Sequence, residues 1–289
     1  MIEVKDKNIG LVLSGGMSKG AYQLGALRAI REFIDPSQVK YISAASIGAL
    51  NGYAFTSDNL DVGAFMWHSL NLTHNRVLVT TILRSDFLTE VIRRLAKKEP
   101  ACKKMYVPLL NIKTRSVFYT DITEKRTEEL RDYLTASVAM PAVNHPVLID
   151  GLNLYDGALI DNIPVFPLMK LSLDYIICIH FDEYNYTFES QYFDNKIVKI
   201  NFAGDKKISD SMWFVRGDVK TMEEQGYRKA KAIMEFVFAD GLENTESIYR
   251  KIEALNAMHS GKIHRTTADI VNDNFDKLKK WLAKKKIIE

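Results

Sequence analysis

Cysteine is scarce in this chain: only Cys102 and Cys178 occur, without paired spacing, which argues against both a disulfide framework and a cysteine-rich zinc site. That usage suits a reducing compartment, and a cytoplasmic protein is expected. Prolines are also few, seven in 289 residues and scattered, and there is no internal repeat, low-complexity tract or interdomain linker. A single domain over 1–289 is therefore expected. Long apolar runs are missing too. None approaches the roughly 20 residues that a spanning helix needs, and the charged start Met1–Asn8 leads into a short strand without the apolar centre of a signal peptide. The expectation is a soluble protein, at most peripheral to a membrane. A net charge of +3 is too small to imply a nucleic-acid partner. Asp150 and Asp161 lack the spacing of a calcium loop and read as turn residues, so neither metal nor cofactor is expected. Nothing in the sequence fixes the oligomeric state.

With 47% apolar and 26% charged residues, the composition is that of an ordinary globular protein long enough to bury a large core. The apolar run Ile9–Leu13 ends in Ser14-Gly15-Gly16 and is followed by apolar residues at helical spacing over Ala21–Ile30. Residues 39–47 repeat the change from strand to helix through Ser46. Successive units of this kind predict an α/β protein with a parallel sheet covered by helices on both faces. Further along, 58–70, 86–98 and Thr127–Val138 read as helices. Met105–Ile112, Ser116–Asp121, 175–181 and 196–202 read as strands, and everything after about 208 reads as helical.

Chemistry concentrates in a few places. In Ala44-Ala45-Ser46-Ile47-Gly48 a serine sits where a strand gives way to a helix, the setting of a nucleophile elbow, whose usual form is G-x-S-x-G. Ser14-Gly15-Gly16-Met17-Ser18-Lys19-Gly20 is a glycine turn between strand and helix. It lacks the residues of a phosphate loop or a dinucleotide fingerprint, and reads either as an oxyanion hole or as a plain tight turn. Asp156-Gly157-Ala158 can present a carboxylate on a loop, as a base for a serine hydroxyl or simply as a turn.

Taken in this order and at these separations, the segments resemble the patatin-like phospholipase family. Ala136-Ser137-Val138-Ala139-Met140-Pro141 and Asn162-Ile163-Pro164 resemble that family's flanking motifs, and the resemblance covers roughly residues 8–205. It implies a three-layer α/β/α sandwich with a mainly parallel central sheet, followed by a helical extension over about 208–289. It implies a lipid acyl hydrolase acting on phospholipids or related esters, with Ser46 as nucleophile and Asp156 as base. The backbone N–H groups of Gly15, Gly16 and Met17 would be oxyanion donors, and Lys19, Gly20, Ala44, Gly48 and Gly157 would be supporting residues. Met17 and Ala44 stand where the family usually has glycine. A catalytically weak or silent lipid-binding or interaction protein of the same fold is therefore the alternative.

Other signals are secondary. His145 and His180 belong to no motif and read as structural. The stretch 275–288 places apolar residues beside a lysine face, which suits a helix packed on the core or one resting on an anionic lipid surface. The aromatic segment Tyr184–Phe188, with Tyr192 and Phe193, reads as a lid, a substrate wall or a packed loop.

Overall fold

A computed structural model describes residues 7–73, 76–182, 184–202, 213–215, 218–258 and 263–285. Residues 1–6 and the end of the lysine-rich tail, 286–289, lie outside the described residues. In chain order the elements are β1 (Ile9–Leu13), α1 (Gly20–Ile30), β2 (Val39–Ala44), α2 (Ile47–Thr56), α3 (Leu60–Thr73), β3 (Arg76–Leu78), α4 (Val79–Leu83), α5 (Asp86–Leu95), β4 (Lys104–Asn111), β5 (Ser116–Asp121) and α6 (Thr127–Ala136). There follow β6 (Val147–Ile149), β7 (Leu152–Asp156), β8 (Tyr175–His180), β9 (Tyr186–Phe188), α7 (Gln191–Asp194), β10 (Ile197–Asn201), β11 (Trp213–Val215), α8 (Asp218–Val237), α9 (Thr245–Ala257), β12 (Ile263–Arg265) and α10 (Thr267–Lys285).

The central sheet has the order β10-β8-β1-β2-β4-β7-β6, with β5 also paired to β4. Strands β10, β8, β1, β2 and β4 run parallel, while β5, β6 and β7 pair antiparallel. The sheet is thus mixed and mainly parallel. Strands β1 and β8 are buried along their whole length, which is why they read as unbroken apolar runs rather than alternating ones. Alternate residues still face opposite ways. Leu11, Leu13, Ile42, Ile177 and Ile179 join a core shared with α1, α2, α8 and α9, whereas Val12, Ile176 and Cys178 face Ile163, Val165, Leu168, Phe188 and Phe193. Long helices therefore cover one face. Short turns, α7 and β9 cover the middle of the other.

The C-terminal region is helical in α8, α9 and α10, but it also contributes strands. β11 pairs with β3, and β12 pairs with β9. Three-residue strands completed by distant partners have no readable period in sequence. Much of the aromatic segment consequently has a structural role: Tyr186 and Phe188 are buried in β9 with ring centroids 6.0 and 6.1 Å from that of His180, while Tyr184 and Tyr192 are exposed. Among the described residues, no helix is long and apolar enough to cross a membrane.

The topology brings the motif segments together. The β6–β7 hairpin turns through Asp150 and Gly151, with φ of 50° and 77°, the pair of positive angles that a two-residue hairpin turn of the right twist requires. One edge of β4 is paired with β5 over Tyr106–Asn111, and the other with β2 at Lys104–Tyr106. β7 pairs at Leu109 and Leu110, and so takes up the β2 edge just beyond the point where β2 ends. This sets Asp156, the partner of Leu109, beside the turn that carries Ser46.

Candidate active site

Ser46 links β2 to α2 with φ 54° and ψ −131°, a conformation that costs an L-residue about 1–3 kcal/mol. The surroundings hold it there. Ala45 N–H donates to Leu13 C=O at 3.0 Å, and Ala49 N–H donates to Ser46 C=O at 2.8 Å. Gly48 lets the helix approach the first strand: a Cβ at this position would lie 2.8 Å from the carbonyl oxygens of both Leu13 and Ser14. At Ala44, by contrast, the extra methyl is fully buried within the main core and needs no such clearance.

The glycine loop is fixed from several sides. Ser14 N–H donates to Ile179 C=O at 3.0 Å, and Gly15 exchanges two hydrogen bonds of 3.2 Å with Asn162, one through its N–H and one through its C=O. The Gly15 N–H is thus already used, whereas among the described residues no protein acceptor is found for those of Gly16 and Met17. Of the three N–H groups expected as donors, those of Gly16 and Met17 are thus the ones left unengaged. Met17 has φ 50°, the left-handed region that glycine occupies at less cost. Lys19 caps α1, which begins at Gly20, and its buried side chain lines the same cavity as Ser46.

Asp156 ends β7, with 3% of its surface exposed. Its N–H donates to Ala139 C=O at 2.8 Å, its carboxylate accepts from the Ala158 N–H at 2.8 Å, and it shares a cavity wall with Ser46. Burial pushes this carboxyl up to about 7, against the opposing pull of the nearby Ser46 hydroxyl and the Ala158 N–H. Gly157 is needed for this placement, because a Cβ there would sit 2.4 Å from the backbone carbonyl carbon of Pro108.

Two cavities meet at Ser46. One, about 40 Å³, is lined by apolar groups including Met17, Ile47, Trp67, Leu88 and Met140. The other, about 210 Å³, is more polar and is bounded by Gly16, Lys19, Asp156, Asn162 and Asp182. No histidine among the described residues lines either one. His180 is buried elsewhere, and burial with help from Lys199 and Arg265 pushes its imidazole down to about 3, so it is neutral. His145 is exposed on the chain leading into β6. Chemically, the site can remove a proton from a serine hydroxyl and offer N–H donors to an oxyanion, beside an apolar recess.

Several supporting residues carried no signal in the sequence. Gln23 donates to Ser14 C=O at 2.7 Å, Asn51 donates to Gln23 and to Gly20 C=O at 3.0 and 2.9 Å, and Trp67 donates to Asn51 at 3.1 Å. This buried network ties the glycine loop to α1, α2 and α3. Asp161 is no turn residue. It is fully buried, paired with Arg265 at 2.7 Å, and accepts from the Tyr119 hydroxyl at 2.7 Å. Arg265→Met leaves that carboxylate without its countercharge, and the expected loss is about 3–5 kcal/mol in denaturant unfolding. A loss below about 1 kcal/mol would show that the pair is not needed.

A family model described as "Patatin-like phospholipase" matches residues 11–169, just over half of the chain. The chain is similar to Lysophospholipase NTE1 of Phaeosphaeria nodorum, 28% identical over 189 residues, which is 60% of this chain and 12% of that protein. It is also similar to an NTE family protein of Mycobacterium tuberculosis, 25% identical over 177 residues, covering 59% of this chain and 48% of that protein. The matched stretch is thus less than half of either relative. Among solved structures, VipD from Legionella pneumophila aligns with a TM-score of 0.45 at 12% identity, over 87% of this chain and 74% of that one.

Proposed function

The chain belongs to the patatin-like phospholipase family, and on that premise we propose that it is a serine acyl hydrolase with Ser46 as nucleophile and Asp156 as general base. The observation that carries this reading is the meeting, on one cavity, of a serine on a strained elbow and a buried carboxylate pushed up to about 7, a value that suits proton transfer near neutrality. The Ser46 hydroxyl attacks the ester carbonyl as its proton passes to Asp156. Negative charge on the carbonyl oxygen is met by the N–H groups of Gly16 and Met17 and by the N-terminus of α2. Collapse to the acyl-enzyme expels the alcohol, which takes the proton from Asp156. Asp156 then activates a water that releases the acid and restores Ser46. No step calls on a cofactor.

The substrate is a lipid or related acyl ester whose chain enters the apolar recess. Lys19 supports the loop, and the lysines of α10 form the face that would meet an anionic lipid surface. Chain and extension are read as one catalytic unit. Met17 sets the size of the recess. Met17→Gly is expected to raise the kcat/KM ratio of p-nitrophenyl octanoate over butyrate by about threefold or more, because the deleted side chain opens space for methylenes. An unchanged ratio would remove Met17 from chain selection. The reading as a whole is tested by hydrolysis of p-nitrophenyl butyrate and fatty-acid release from lysophosphatidylcholine. Folded protein that performs neither reaction is the silent binding protein instead.

A further inference from the structure

Helix α10 lies beyond the stretch matched by the family model, yet it walls a groove that shares Met140 and Leu159 with the cavity at Ser46. It is anchored at its start by the Arg265–Asp161 pair and along its length by Asn274, whose amide donates to Ile160 C=O at 2.9 Å. Between the helix and the turns carrying Met140 and Leu159 runs a groove of about 370 Å³. Its walls are Met140, Pro141, Leu159, Leu278 and Trp281, with Lys277 at its rim. Asn274 adds little polarity, because its amide is used on Ile160 and its oxygen accepts from Lys277 at 3.3 Å. Leu159 and Trp281 are 37% and 38% exposed, so apolar surface faces this groove uncovered.

The groove adjoins the candidate site. Met140 and Leu159 also line the polar cavity at Ser46 and Asp156, and Met140 borders the apolar recess as well. An ester held at Ser46 has an acyl side, which the recess receives, and an alcohol side, which passes through the polar cavity. Beyond that cavity the lining becomes apolar again. Apolar, polar, apolar is the order met along a glycerolipid from one chain, through the glycerol, to a second chain.

We propose that the groove between α10 and the Met140 and Leu159 turns holds a second hydrocarbon chain, making the protein a hydrolase of two-chain lipids. This rests on the acyl-hydrolase reading above. Hydrocarbon buried against Trp281 and Leu278 favours a two-chain substrate over its one-chain counterpart, and the gain disappears when the wall is cut back.

The test compares fatty-acid release from a diacyl phospholipid and from the matching monoacyl phospholipid, in the full chain and in Trp281→Ala and Leu278→Ala. The diacyl/monoacyl ratio of kcat/KM is expected to fall about tenfold in Trp281→Ala and several-fold in Leu278→Ala. An unchanged ratio in both variants overturns the proposal. A second readout needs no turnover: Ser46→Ala protein is titrated with a diether phospholipid brominated on its second chain. Quenching of fluorescence that is absent after Trp281→Phe supports occupancy of the groove, and equal quenching in both proteins overturns it. Wild-type protein that cleaves no ester defeats the hydrolase reading, and the quenching result then decides the groove by itself.

Discussion

Ser46→Ala is expected to lower turnover of a short acyl ester by about 10⁴-fold or more, because no other described residue at the site can take over the covalent step. The candidates are few. Ser14 and Ser18 are buried near the loop, yet Ser46 alone among the described serines lines both cavities. Folding is expected to survive, since the Ser46 side chain caps no helix and alanine tolerates φ 54° no worse than serine does. Circular dichroism and p-nitrophenyl butyrate hydrolysis together make the check. A variant that is folded and keeps more than about a tenth of the activity would place the nucleophile elsewhere.

Asp156→Asn is expected to separate activity from stability. Turnover should fall about 10³–10⁴-fold, because an amide can accept the Ala158 hydrogen bond but cannot accept a proton from Ser46. Stability should move the other way. The folded carboxyl titrates at about 7, above its ordinary value of 3.8, so between those values the native state holds a proton that the unfolded state has lost. The contribution of this group is therefore fully present below the unfolded pKa and is lost as pH rises through about 7. At pH 8 the native state carries a buried carboxylate at a cost on the order of 2–4 kcal/mol, which asparagine removes. The variant should melt several degrees higher at pH 8, with the gain shrinking as pH is lowered toward 4. Lower stability at pH 8 would mean that the carboxylate is not strained by burial. In the wild type the same titration makes kcat/KM rise with pH through about 7.

The sequence-readable parts of this protein are those with local chemistry. Ile9–Leu13 and Tyr175–His180 were legible as strands because buried parallel strands are apolar on both faces. Ser46 and Asp156 stand out in sequence because an elbow and an Asp-Gly turn need particular small neighbours, and Gly48 and Gly157 each meet foreign backbone where a Cβ would stand. Met17 stands where the family usually has glycine, and its φ of 50° is the conformation that glycine adopts at less cost. What stayed hidden depends on partners far away in the chain. Arg265 looked like any basic residue, although it balances Asp161 over a separation of 104 positions. Nor does anything local announce that the Asn162 carbonyl engages the Gly15 N–H. The β6–β7 hairpin has a local signal in Asp150-Gly151, a strong turn pair that fixes where Asp156 lands.

The central claim is that Asp156 activates Ser46, and labelling with a fluorophosphonate probe tests it most directly, with the adduct mapped by mass spectrometry between about pH 5 and 9. The expected result is one adduct, on Ser46, formed at a rate that rises through about pH 7 and lost in folded Asp156→Asn. An adduct on another residue, or labelling of Ser46 that persists at an unchanged rate in Asp156→Asn, would contradict it.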